Sequence, residues 1–146
     1  MKRILLIATG GTIACKQTAS GLAPQLGAKE LLSYVRDRAE NVESIELFRM
    51  DSSNVQPEEW RAIAQAVADN MHNADGIVIT HGTDTMAYTS SMLSFMLRGI
   101  KIPVVLTGAQ YPMGMEGSDA ARNLGDALTA ARELPAGVYI AFGGSV

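Results

Sequence analysis

The chain has 146 residues, 47% of them hydrophobic and 18% charged, which is enough apolar material for one globular domain with its own core. A net charge of −3 and the lack of any basic block argue against nucleic acid as the main partner. The single cysteine, Cys15, excludes an intrachain disulfide and fits a cytoplasmic, reducing setting, and no apolar stretch approaches the roughly 20 residues of a membrane span.

The elements follow in chain order. The apolar run of "RILLIAT" (3–9) is shorter than the h-region of a secretory signal, about 7–15 residues. It reads as a central strand, apolar on both faces. A polar, glycine-containing segment, 15–27, reads as a loop. "AKELLSYVRDRA" (28–39) reads as a helix with Leu31, Leu32 and Val35 inward, and "VESIELFRM" (42–50) alternates like a strand near a sheet edge. Pro57 opens the clearest helix, 57–74, where proline suits the first position and Glu58 and Glu59 complement the N-terminus. Its apolar face is Trp60, Ile63, Ala64, Val67 and Met71.

"DGIVIT" (75–80) is a buried strand. "DTMAYTSSMLSFMLRG" (84–99) is apolar around most of its girth, so it is expected to be a helix covered on more than one side. Met86, Met92 and Met96 would lie in the core, with Gly99 at the C-terminal cap. "KIPVVLTG" (101–108) is a strand, "SDAARNLGDALTAARE" (118–133) a helix capped by Ser118 or Asp119, and "AGVYIAF" (136–142) a fifth strand. This alternation predicts an α/β fold over 1–146: a three-layer, open, mostly parallel sheet with helices on both faces.

Open parallel sheets bind ligands at the carboxyl ends of their strands. Those ends read "TGGT" (9–12), "DSSN" (51–54), "THGTDT" (80–85) and "TGAQ" (107–110). Turn chemistry accounts for the Gly, Asn, Asp and Ser but does not favour threonine at 9, 12, 80, 83, 85 and 107. Neither glycine spacing of a phosphate loop fits the adjacent Gly10 and Gly11, and no G-x-S-x-G elbow exists. His72 reads as solvent-exposed, while His81, beside Gly82, can orient its neighbours. The two histidines and one cysteine lie too far apart for a metal site.

A threonine nucleophile remains. An alcohol needs a base or a polarising neighbour, and donors for the developing oxyanion. "TGGT" presents Thr12 beside Gly11, whose backbone supports the loop or an oxyanion. "GTDT" places Thr83 at a helix start, with Asp84 able to hold an ammonium group.

"ATGGTIA" with "HGTDTMAYTS" resembles the bacterial-type L-asparaginases, and the likeness continues through "DSSN", "PVVLTGAQ" and "GVYIAFGG". "DSSN" followed by "QPEEW" is more similar to the cytoplasmic type I branch. The resemblance implies a Rossmann/flavodoxin-like N-terminal domain and hydrolysis of L-asparagine to L-aspartate and ammonia, with no cofactor and no metal. It assigns Thr12 as the nucleophile that forms a β-acyl-enzyme and Thr83 as the second catalytic threonine. Asp84 would bind the α-amino group and Ser52, with Ser53 beside it, the α-carboxylate. Gly82 would contact substrate, and Ala109 would offer its backbone near the amide. A homo-oligomer, dimer or tetramer, is implied for the full-length protein.

Two features depart from the family. Leu22 stands where the family carries a tyrosine on the loop after "TGGTIA". The family's catalytic lysine lies downstream of a stretch like "AFGG", and this chain reaches only Val146, so it is expected to be an incomplete asparaginase, weak or inactive alone. Two alternatives are the amidase subunit of a glutamyl-tRNA(Gln) amidotransferase and a non-catalytic amino-acid-binding module.

Overall fold

The computed structural model describes every residue, Met1–Val146. A central strand β1 (Ile4–Gly10) is buried along its whole length, as its unbroken apolar run predicts. It is followed by a hairpin, β2 (Cys15–Thr18) and β3 (Gly21–Pro24), where the sequence reads as a loop. Helix α1 covers only Ala28–Ser33. Beyond it the backbone bonds tighten to the i→i+3 pattern, as in Arg38 N–H to Val35 carbonyl, so the expected helix to residue 39 closes in turns while Val35 stays buried. Then come β4 (Val42–Met50), α2 (Pro57–Asn70), β5 (Gly76–Thr80), α3 (Met86–Met96), β6 (Pro103–Thr107), α4 (Ala120–Glu133) and β7 (Gly137–Ile140).

Five parallel strands form one sheet in the order β4-β1-β5-β6-β7. The alternating strand β4 lies at an edge, as its sequence pattern requires. Side chains of β1 divide by parity. Ile4, Leu6 and Ala8 join α1 and α4 in one core, while Leu5 and Ile7 join α2 and α3 in the other. This produces the three layers expected from the sequence.

The crossovers do not all have the same hand. From β1 to β4 the chain steps one way with α1 on the first face. From β4 to β5 and from β5 to β6 it steps the other way with α2 and α3 on the second face, which preserves the hand. From β6 to β7 it keeps stepping in that direction, but α4 lies on the first face. Right-handed crossovers make up about 98% of such units, so β6–α4–β7 is a left-handed exception. It carries the loop after β6 to the first face, where Met113 N–H bonds the Ile13 carbonyl at 3.3 Å, just past the end of β1.

Helix α3 departs from expectation. Its buried residues are Met86, Thr89 and Leu93, a narrow stripe, whereas Tyr88, Met92, Phe95 and Met96 are exposed. It is covered on one side only, so Met92 and Met96 are not core. The N-cap of α4 is Asp119 by position, but its carboxylate accepts from the amides of Gln110 and Tyr111 instead, while Ser118 Oγ accepts from Ala120 N–H.

Candidate active site

The carboxyl ends of β1, β4 and β5 meet around a cavity of about 140 Å³. It is lined by Gly11, Thr12, Asp51, Ser52, Gly82, Thr83 and Asp84, with Cys15, Leu22 and Pro24 closing the side formed by the hairpin. β1 lies between β4 and β5, and its connections leave and return in opposite directions, which opens a crevice at that point of the sheet.

Glycine makes the loops pack this closely. Gly11 has φ +79°, and a Cβ there would run into the Gly82 backbone. A Cβ on Gly82 would in turn overlap the Ser52 side chain. The Gly11 and Gly82 loops therefore touch through backbone, Ser52 packs its side chain directly on Gly82, and Thr12, Ser52, Thr83 and Asp84 line one small space. Gly11 N–H bonds the Met50 carbonyl at 3.0 Å, tying the β1 end to the β4 end.

The strand-end threonines divide into two groups. Thr9, Thr85 and Thr107 donate to the carbonyls of Thr80, Ser52 and Ala141 at 2.7, 2.8 and 2.8 Å, stitching adjacent strand ends together. Thr80 is fully buried and its hydroxyl has no partner. Thr12 and Thr83 instead line the cavity. Thr83 and Asp84 lie in the turn before α3, whose N-cap is Thr85, rather than within the helix. The amides of Gly82, Thr83 and Asp84 donate to no protein acceptor.

Two expected contributors stand elsewhere. Ser53 is exposed and outside the cavity lining, its amide and hydroxyl both donating to the Asp51 carboxylate at 2.9 Å. Ala109 is buried in the first core, away from the lining. Conversely, Asp51 lines the cavity although the strand-end motifs give it no role of its own. Its place as the first residue after β4 is the only signal the sequence holds.

The lining carries Asp51 and Asp84 and no lysine, arginine or histidine, so the space favours a ligand with a cationic group. Lys16 pairs with Glu30 at 3.1 Å on the outer side of the hairpin. Burial, reinforced by the Asp51 carboxylate, pushes the Cys15 thiol up. It is held as S–H, 3.4 Å from the Gly11 carbonyl, and does not compete as a nucleophile. No three His, Cys, Asp or Glu side chains gather as metal ligands, and no helix is long and apolar enough to cross a membrane.

Comparison with known proteins identifies the family and the fold. The family model "Asparaginase, N-terminal" matches residues 3–146. The chain is 48% identical over 143 residues to the L-asparaginase of Thermococcus kodakarensis, covering 96% of this chain and 44% of that protein. The solved structure of the thermostable L-asparaginase from that organism superposes with a TM-score of 0.89. L-asparaginase I from Vibrio cholerae superposes with a TM-score of 0.84 at 38% identity, covering 98% of this chain and 45% of that one. A glutamyl-tRNA(Gln) amidotransferase component of Methanococcus vannielii is 36% identical, covering 100% of this chain and 35% of that protein. The chain thus spans less than half the length of these relatives. With residues 3–146 matched to that family model and nearly all of the chain to two solved asparaginase structures, the chain belongs to the asparaginase family and corresponds to its N-terminal domain.

Proposed function

We propose that the full-length protein hydrolyses L-asparagine to L-aspartate and ammonia, and that residues 1–146 form the α/β domain supplying the nucleophile and the substrate-anchoring groups. The convergence of Thr12, Ser52, Thr83 and Asp84 on one cavity of about 140 Å³, a volume suited to a small zwitterion, supports this reading. Asp84 pairs with the substrate ammonium group and Ser52 donates to its α-carboxylate. That leaves the side-chain amide toward Thr12 and Thr83.

Thr12 Oγ attacks the amide carbon, its proton passes to the departing nitrogen, and the C–N bond breaks to release ammonia and leave a β-aspartyl ester on Thr12. Water held by Thr83 then adds to the ester, and collapse returns the Thr12 hydroxyl and L-aspartate. Amides in the Gly82–Asp84 turn are available to the negatively charged oxygen that forms in both steps. The cavity lining holds the Asp51 and Asp84 carboxylates but no lysine or histidine, and Asp84 is committed to the substrate ammonium group, so the 146-residue chain alone is expected to be weak or inactive. We expect a further base from the rest of the protein. We place the protein in the cytoplasm as a homo-oligomer.

Ammonia release from L-asparagine by the full-length protein tests the reading. Thr12→Ala is expected to lower kcat by about 1,000-fold or more while L-aspartate still binds. Asp84→Asn is expected to raise KM by about 10-fold or more, since it removes a charge-assisted contact. Unchanged turnover in Thr12→Ala would overturn the assignment. Ammonia release dependent on a tRNA acceptor would favour the amidotransferase reading.

A further inference from the structure

His81 takes no part in the chemistry proposed above, yet it is fully buried, with both ring nitrogens engaged. Nδ1 lies 2.7 Å from the Gly82 carbonyl oxygen, and Nε2 lies 2.9 Å from Thr89 Oγ. The same hydroxyl oxygen lies 3.0 Å from the Trp60 indole nitrogen. The two ends of this chain fix the protons between them. An indole N–H can only donate and a carbonyl can only accept. Trp60 therefore donates to Thr89 Oγ, and His81 Nδ1–H donates to Gly82. In a neutral ring Nε2 is then the acceptor, and it receives the Thr89 hydroxyl proton. Burial holds the ring neutral.

The Gly82 carbonyl belongs to the same peptide unit as the Thr83 N–H. A trans peptide is planar, with its C=O and N–H on opposite edges. Anchoring the carbonyl on the buried ring turns the Thr83 N–H away from His81, and both Gly82 and Thr83 line the cavity. That N–H has no acceptor in the protein. Gly82 is wedged between Gly11 and Ser52, so the plane cannot swing without parting the strand-end loops.

We infer that Trp60, Thr89 and His81 form a positioning relay running from α2 through α3 to the end of β5, which fixes the Gly82–Thr83 peptide plane and so aims the Thr83 amide into the cavity. The kinetic part of this inference rests on the amide-hydrolysing reading, while the hydrogen-bond part does not. None of the three side chains lines the cavity. They act through the backbone of a residue that does.

The test uses the full-length protein. Thr89→Val keeps the side chain's shape and removes the hydroxyl, while Thr89→Ser keeps the hydroxyl. Thr89→Val is expected to lower kcat for L-asparagine by about 10- to 100-fold with KM within about twofold, because misplacing a group that acts only in the transition state leaves ground-state binding largely intact. Thr89→Ser should restore most of the loss. Ring-nitrogen NMR of the unsubstituted protein should show His81 protonated at Nδ1 and bare at Nε2, and the Thr83 amide resonance should shift in Thr89→Val.

A kcat retained in Thr89→Val, or a fall matched by loss of folded protein and not rescued by serine, would overturn the relay. So would the opposite tautomer, a measurement that needs no variant. If the unsubstituted protein releases no ammonia, the functional reading fails on its own. The tautomer and the Thr83 resonance still decide the relay.

Discussion

Gly11 shows how much of the site depends on a missing side chain. Its φ of +79° is one that L-residues rarely adopt, and the Gly82 backbone occupies the place of a Cβ. Gly11→Ala is expected to cost about 2–5 kcal/mol from backbone strain and overpacking combined, read as a lower denaturation midpoint at unchanged slope. Turnover should fall with it, because the Thr12 and Thr83 loops must move apart. The two glycines of "ATGGTIA" thus both turn the chain and admit a neighbouring loop at backbone distance. Residue chemistry was legible where strand ends gather polar groups, and this brought Thr12, Ser52, Thr83 and Asp84 to notice. It could not separate threonines that face the cavity from Thr9, Thr85 and Thr107, which bond neighbouring carbonyls, since all six share one sequence signature. Nor could it separate Ser52 from Ser53. Adjacent side chains leave a turn in different directions, and the Asp51 carboxylate holds Ser53 outside.

At the scale of elements, the strands of the main sheet were readable because burial on both faces demands continuous apolar runs. The β2–β3 hairpin was not, because "CKQT" and "GLAP" pair only with each other and bury little, leaving no period-two signal. Two short strands outside the main sheet are marginal. Amide exchange within 15–24 is therefore expected to be faster than in β1, β5 and β6, and equal protection would show that the hairpin is held by more than its own ladder. Leu22 and Pro24 of that hairpin line the cavity, so the hairpin forms one of its walls. Helix α3 misled for the opposite reason. A helix apolar all round does not say which stripe faces the sheet, and the chosen one is Met86, Thr89 and Leu93. Phe95 is 61% exposed, with the Arg98 guanidinium 5.9 Å from its ring centroid. Phe95→Ser is expected to change stability by no more than about 0.5 kcal/mol in a thermal melt, where a core phenylalanine would cost several.

For the whole molecule, strand order and the left-handed return through α4 depend on pairings between distant segments, and no local pattern encodes them. Strand order nevertheless decides that the β1, β4 and β5 ends meet, and it places His81 at the end of β5, covered by α3 and α2. Burial disfavours the charged ring and lowers its pKa below the ordinary value, partly opposed by the bond to the Gly82 carbonyl. The sign of the pH effect follows. An unfolded histidine takes up its proton near pH 6.5, whereas the folded one does so only at lower pH. Between those two values the unfolded chain binds a proton that the native state does not. The contribution of the neutral ring is complete above about pH 6.5 and declines as pH falls through that window, at up to about 1.4 kcal/mol per pH unit, until the native ring also protonates. Thermal melts between about pH 7 and 5, above the range where most carboxylates titrate, should show a midpoint that drops with acid in the unsubstituted protein and drops less in His81→Gln. Parallel pH profiles for the two proteins would place the linked proton on another group. A flatter profile for His81→Gln would tie acid unfolding to the same ring that anchors the Gly82 carbonyl, so that acid would loosen the strand-end loops by attacking their support from beneath.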